Sequence, residues 1–158
     1  MLGRRFLIAI AAGAAAALAA AGVAPAGTAD RPMSGSCDTT FSISSTGVIS
    51  ITGTCLLTHL GRASYTATQT AVPNPDGTLH LTITGFYTAA NGDILRSTLD
   101  GTARFTATGV AYSTTETFTG GTGRFADASG SDADEGVAAF TGATTGTSSF
   151  ATSGQIAY

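Results

Sequence analysis

The chain has 158 residues, with seven basic residues, ten acidic residues and two cysteines. Apart from the adjacent Arg4 and Arg5, the basic residues are scattered singly, so neither a nucleic acid nor an anionic membrane surface is expected as a partner. The two histidines lie in no recognised ligand spacing and no nucleophile has a neighbouring His–Asp arrangement, so we predict no metal site, no cofactor and no hydrolase triad.

The first predicted element is a secretory signal peptide over residues 1–26. Two arginines precede an apolar run over residues 6–23, and Ala24-Pro25-Ala26 follows with the small-x-small pattern of a cleavage site. A membrane anchor is the alternative, because the run is close to the length that spans a bilayer. Since the run consists mostly of alanine, we expect cleavage, secretion and no stable membrane anchor.

Removal of 26 residues leaves 132 of the 158, enough for one domain with a single core. This part is rich in Thr, Ser, Gly and Ala, and its threonines alternate with apolar residues, which is typical of strands with one buried face. We expect residues 27–36 to be disordered. Residues 37–158 are predicted to form an all-β domain, a single small antiparallel β-barrel of about eight strands connected as a meander.

The first predicted hairpin carries both cysteines. Cys37 and Cys55 are symmetric about Thr46, and Gly47 supplies the left-handed position of the turn. In that register the two cysteines lie opposite each other on one face, so we predict a disulfide, which an oxidising compartment permits. The alternatives are two free thiols or a metal pair, and a metal would need more ligands.

The middle strands alternate cleanly between apolar and polar residues. Tyr65 lies on the apolar face of residues 62–71, Leu81 and Ile83 lie on that of residues 78–87, and Phe105 on that of residues 102–108. His80 is predicted on the outer face. Turns are predicted at residues 72–77, 91–92 and 100–101 from their Pro, Asn, Asp and Gly content.

The strand over residues 112–118 holds the candidate catalytic residue. Tyr112, Glu116 and Phe118 share one parity, so Glu116 faces the barrel interior if the aromatic side chains do. A carboxyl group in an apolar interior must pair, bind a proton more tightly or meet water, and such groups are often functional. The alternative is a glutamate that is solvated at the rim or faces outward.

A glycine-rich turn follows this strand. The stretch GGTGRFADASG has three glycines in four residues, which permits the sharp bend of a barrel rim, and it lacks the Lys-Ser/Thr of a phosphate-binding loop. It resembles the GGTG-x-F-x-x-A-x-G loop of plant dirigent proteins and of secreted bacterial relatives of the allene oxide cyclase barrel. The matching residues are Gly120, Gly121, Thr122, Gly123, Phe125, Ala128 and Gly130.

This resemblance implies an antiparallel barrel with a central apolar cavity. In some relatives such a barrel steers the cyclisation or coupling of small apolar molecules. The acidic and arginine residues associated with dirigent activity find no matching positions in this chain, so the resemblance assigns no activity to it.

Acidic residues crowd the next segment, namely Asp127, Asp132, Asp134 and Glu135. Oxygen ligands at this density suit Ca²⁺, but their spacing differs from that of an EF-hand loop, and we predict a solvated acidic loop. Arg124 is expected to pair with a nearby carboxylate, either Asp127 or Glu116. Residues 137–141 and 147–158 are the last predicted strands, and the C-terminal one is expected to pair with the first hairpin and close the sheet.

These observations favour a secreted barrel that binds a small apolar ligand in its interior. The predicted lining consists of Tyr65, Leu81, Ile83, Phe105, Tyr112 and Phe118. A cofactor-free cyclase or isomerase, in which Glu116 or a tyrosine provides polar stabilisation, is the first alternative. A structural extracellular or cell-surface protein without a cavity is the second, and the sequence predicts no particular oligomeric state.

Overall fold

Eight antiparallel strands make up most of residues 30–158, the part of the chain that the computed structural model describes. The strands are β1 (Arg31–Ile43), β2 (Ile49–Leu57), β3 (Gly61–Pro73), β4 (Leu79–Thr88), β5 (Ile94–Thr106), β6 (Gly109–Gly121), β7 (Ser129–Phe140) and β8 (Thr145–Ala157). A short 3₁₀ turn, Gly123–Phe125, lies between β6 and β7. The predicted signal peptide lies outside the described residues.

The strands form a closed barrel in which each pairs with its neighbours in sequence and β8 pairs with β1. The predicted all-β meander barrel is therefore confirmed. Closure pairs both edges of the sheet, so the exposed edges that favour aggregation are removed. The prediction that residues 27–36 are disordered is wrong for residues 31–36. These residues are part of β1 and pair with β8.

The first hairpin has the register that the sequence predicted. Cys37 lies opposite Cys55 and forms a disulfide with it, and the two Cα atoms are 4.0 Å apart. Both cysteines are buried, and Gly47 adopts a φ of 82° in the turn. A left-handed φ at this position suits glycine, which explains how the chain reverses between β1 and β2 there.

The predicted turn at Asp100-Gly101 is wrong, because β5 continues through both residues to Thr106. Gly101 lies opposite Thr114 on β6, and a Cβ atom at Gly101 would collide with the β6 backbone. The glycine here permits close approach of two strands instead of a turn. β7 also begins earlier than expected, at Ser129, so the predicted acidic loop is mostly strand.

Alternate connections lie at opposite ends of the barrel, because every strand runs antiparallel to the next. The connections at residues 44–48, 74–78, 107–108 and 141–144 lie at what we call the open end. Those at residues 58–60, 89–93 and 122–128, with the 3₁₀ turn, lie at the closed end. Within residues 30–158, no helix has the length and apolar character needed to cross a bilayer.

Phe125 plugs the closed end. Its side chain is fully buried and its ring lies 5.0 Å from that of Tyr158. Arg124 donates a 2.6 Å hydrogen bond to the carbonyl of His59 and lies 3.8 Å from the carboxylate of Asp93. Arg124 thus joins the three connections of this end. It is an exposed arginine near a carboxylate, as expected, but the partner is Asp93 and not Asp127 or Glu116.

Candidate functional site: an apolar cavity above buried carboxyl groups

A cavity of about 290 Å³ occupies the half of the barrel interior nearest the open end. Small side chains on three strands leave the space, namely Ala71, Ala103 and Ala138. The walls include Phe41, Ile51, Leu81, Ile83, Leu99 and Phe150. At this end the lining residues Phe105 and Phe140 are largely exposed, so the cavity reaches solvent there.

Five of the six residues predicted to line a cavity do so. They are Tyr65, Leu81, Ile83, Phe105 and Tyr112. Phe105 lies at the mouth, where 66% of it is exposed. Phe118 does not line the cavity: it is buried in the core nearer the closed end, because its strand β6 runs from the open end towards the closed end.

The floor of the cavity is polar. Asp134 and Thr114 line the cavity there, and Tyr112 and Ser148 line it nearer the open end, at the level of Gly136 and Ala138 of β7. The Tyr112 hydroxyl and Ser148 Oγ are 2.7 Å apart, and the Thr114 hydroxyl donates a 3.3 Å hydrogen bond to one oxygen of Asp134. The other carboxyl oxygen of Asp134 is buried and has no hydrogen-bond partner within the described residues. A residue that lines this apolar cavity therefore keeps one acceptor that the described residues leave unused.

Two more carboxyl groups lie directly beneath Asp134. Glu116 on β6 is opposite Asp132 on β7, and one oxygen from each of Glu116, Asp132 and Asp134 lies within 4.8 Å of the others. All three side chains are buried, and we call them the acid cluster. Gly154 of β8 lies beside Asp132, where a Cβ atom would collide with that residue.

The parity that placed Glu116 inside is confirmed, since Glu116 is fully buried. The predicted solvated loop is wrong for Asp132 and Asp134, which face the interior, whereas Asp127 and Glu135 are exposed. The sequence contained a signal for these inward positions, because Asp132 and Asp134 alternate in step with Ala138 and Phe140 along one strand. Loop-like composition obscured it, because Asp, Gly and Ser are all typical of turns.

Tyrosines support the acid cluster from the side. The Tyr87 hydroxyl donates a 2.9 Å hydrogen bond to Glu116, and the ring of Tyr65 stacks on that of Tyr87 with centroids 4.7 Å apart. Tyr87 is fully buried. Burial, followed by the neighbouring charge of Glu116, raises the pKa of both tyrosines well above its usual value, so each hydroxyl remains a donor.

The acid cluster holds its protons tightly. Burial raises the pKa of Glu116 well above its usual value, and the nearby charges of Asp132 and Asp134 raise it further. Burial also raises the pKa of Asp132, and burial with the charge of Asp132 raises the pKa of Asp134 to about 7. Asp134, the member that lines the cavity, therefore changes protonation near neutral pH.

No positive side chain balances these carboxyl groups. The chain has no lysine, and every arginine in residues 30–158 is exposed. Neither histidine is buried: His59 lies at the closed end, and His80 lies on the outer face as predicted, 3.1 Å from Asp100. Three carboxyl groups so close together must share protons or accept a cation from outside.

Comparison of the chain with protein-family models, with curated proteins and with solved structures finds no match. The cavity and the acid cluster are therefore the features of the molecule that bear on its function.

Proposed function

We propose that this protein is an exported binding protein that holds one small, largely apolar molecule inside its barrel. The observation that carries the proposal is the 290 Å³ apolar cavity with a polar floor. Its volume is close to the lower end of ligand pockets in proteins, and eight-stranded barrels have room for one small ligand. Convergent polar groups at one end of an apolar cavity are the arrangement that orients a bound molecule.

The mouth of the barrel supports entry of an apolar molecule. Phe105 and Phe140 are large apolar side chains that stay exposed there, and Phe140 packs edge to face against Phe41 with ring centroids 5.4 Å apart. A cluster of exposed apolar side chains often marks a binding site. Export fits the buried Cys37–Cys55 disulfide and the predicted signal peptide.

A fluorescence titration tests this proposal. The neutral probe N-phenyl-1-naphthylamine, which fluoresces in apolar surroundings, should bind the wild-type protein with a dissociation constant on the order of micromolar. Ala71→Phe fills the cavity and should weaken binding at least about tenfold. Thr70→Phe adds the same ring to the exposed outer face of β3 and should leave affinity unchanged. Equal binding by both variants, or no binding by the wild type, would refute the proposal.

Catalysis of a cyclisation or isomerisation is the second candidate function. It is favoured by Asp134, a carboxyl group that lines the cavity and has a pKa of about 7, because a general acid or base works best with a pKa near the working pH. Glu116, the candidate from the sequence, lies beneath Asp134 and outside the cavity lining, and the neighbouring charge that raises the pKa of Asp134 is that of Asp132.

The resemblance to the allene oxide cyclase barrel supplies a test for this second candidate. An allene oxide that cyclises in the presence of the protein should give an enantiomerically enriched product. Asp134→Asn should abolish the enrichment if Asp134 takes part. A racemic product with wild-type protein would leave the binding function as the sole candidate.

A further inference from the structure

The cavity combines two properties that together select one chemical class of ligand. Its walls are apolar, whereas its floor ends on Asp134, whose side chain is 1% exposed and has one oxygen without a hydrogen-bond partner. An ionised carboxylate in such surroundings is costly unless an opposite charge pairs with it. We propose that the ligand is an apolar amine, with a protonated amino group that binds Asp134 and an apolar body that fills the cavity.

Charge balance favours a cationic head group over a neutral or anionic one. The acid cluster has no buried arginine or histidine beside it within residues 30–158, and the chain contains no lysine. A bound ammonium group would supply one positive charge at the only member of the cluster that reaches the cavity. An anionic head group would instead add a fourth acidic group to three carboxyls, and repulsion would exclude it.

Hydrogen-bond inventory points to the same class. A primary ammonium group has three donors and no acceptor. The cavity lining includes Asp134, one of whose carboxyl oxygens has no hydrogen-bond partner, and the hydroxyl groups of Tyr112 and Ser148 nearer the open end. Each of the last two can accept a hydrogen bond in addition to the 2.7 Å contact that they share. The polar groups of the lining are therefore a carboxyl group and hydroxyl groups, all of which can accept a hydrogen bond from a head group that has donors only.

Aromatic rings near the floor stabilise a cation further. Tyr65, Tyr112 and Phe150 all line the cavity, and the rings of Tyr65 and Phe150 lie 5.9 Å apart in an edge-to-face arrangement. The face of an aromatic ring attracts a cation, and this attraction grows when water is excluded. This inference rests on the proposed binding function, but it makes a separate prediction about the charge of the ligand.

Three probes with the same ring system separate the proposed binding function from the proposed preference for an amine. These are 1-naphthylmethylamine, 1-naphthylmethanol and 1-naphthoic acid, which are titrated calorimetrically into the disulfide-bonded protein with a chelator present. At about pH 8 Asp134 is largely ionised and the amine is protonated. We expect the amine to bind about tenfold more tightly than the alcohol, and the acid to bind most weakly.

Two variants on β7 test whether Asp134 causes the preference for the amine over the alcohol. Asp134→Asn keeps the size of the side chain but removes its charge, and it should reduce the preference for the amine over the alcohol to less than about threefold. Glu135→Gln, the matched control, removes an exposed carboxylate at the next position of β7 and should retain the full preference. Loss of the preference in Glu135→Gln and its retention in Asp134→Asn would overturn the inference.

The wild-type protein alone also decides the question, in case Asp134→Asn does not fold. At about pH 5 Asp134 is protonated, so the amine should lose its advantage over the alcohol. The other titratable groups near the head group are Glu116, Asp132, Tyr65, Tyr87 and Tyr112, all of which have raised pKa values because they are buried. The tyrosines stay protonated across this range, and any ionisation of Glu116 or Asp132 as the pH rises adds negative charge that favours the amine in the same direction.

Failure of the two proposals gives different results. If none of the three naphthalene probes binds and N-phenyl-1-naphthylamine does not bind either, the binding function itself is wrong. If the alcohol binds as tightly as the amine at both pH values, the cavity is a ligand site but the amine inference is wrong.

Discussion

The two halves of the barrel interior are built from the same alternating strands, yet one is filled and the other is hollow. On the closed side of the acid cluster, Met33, Leu95, Phe125 and Ile156 are each at most 1% exposed. On the open side, alanines face the interior and the aromatic side chains stand at the mouth. Period-two alternation therefore forms the barrel wall in both halves. The size of the inward side chains and the connections at each end decide whether that wall encloses a core or a pocket.

The acid cluster forms the boundary between these halves. Asp134 is part of the cavity floor, and Glu116 and Asp132 are buried beneath it, between the cavity and the apolar core. If the halves are functionally distinct, changes in the closed half should alter the free energy of unfolding, and changes in the open half should alter ligand affinity. Four predictions test this division, beginning with the largest expected effect.

Phe125→Ala should lower the free energy of unfolding by about 3–5 kcal/mol, because it removes a fully buried ring from the plug and leaves a void. Urea denaturation followed by circular dichroism measures this change. In the fraction that stays folded, the affinity for N-phenyl-1-naphthylamine should match that of the wild type. An unchanged unfolding midpoint would show that the closed end is not part of the stabilising core.

The acid cluster should make stability depend on pH in an unusual direction. Its carboxyl pKa values are raised in the folded state, so the folded protein binds more protons than the unfolded one between about pH 4 and pH 7. The free energy of unfolding should therefore fall as the pH rises through this window, by up to about 1.4 kcal/mol per pH unit for each such group.

Urea titrations at several pH values, with the ligand-free protein, measure this slope. Asp134→Asn should make the slope shallower, whereas Glu135→Gln, which removes an exposed carboxylate from the same strand, should leave it unchanged. A free energy of unfolding that rises steadily from pH 4 to pH 7 would contradict the buried, protonated cluster.

Arg124→Gln should lower the free energy of unfolding by about 1 kcal/mol, since it removes the charged hydrogen bond to His59 and the contact with Asp93. The effect is modest because the Arg124 side chain is 43% exposed. Amide hydrogen exchange should increase at residues 58–60 and 89–93 and stay unchanged at the open end. Arg104→Gln, an exposed arginine of β5, is the control and should show neither effect.

Phe105→Ala should change stability least, within about 0.5 kcal/mol, because the ring is mostly exposed. It should nevertheless weaken binding of N-phenyl-1-naphthylamine several-fold, since the ring lines the mouth of the cavity. Phe125→Ala and Phe105→Ala are then a matched pair: the first should lower the free energy of unfolding and leave affinity unchanged, and the second should do the reverse. If both variants lose stability alike and bind alike, the two halves are not functionally distinct.

Much of the wall could be read from the sequence. The parity of β3, β4 and β6, the register of the first hairpin and the Cys37–Cys55 disulfide all follow from residues close together in the chain. Strand parity is a local property, because successive side chains point to opposite faces whatever the strand's partner. The predicted inward position of Glu116 depended on that parity alone, and the structure places it there.

The contents of the barrel were decided by the tertiary structure. Pairing of β6 with β7 brings Asp132 opposite Glu116, and local composition instead suggested a solvated acidic loop. Arg124 contacts His59 and Asp93, which lie in two connections distant from it in sequence. Register between strands and the meeting of loops depend on closure of the whole sheet, so alternation along one strand specifies which side chains face inward but not which of them meet there.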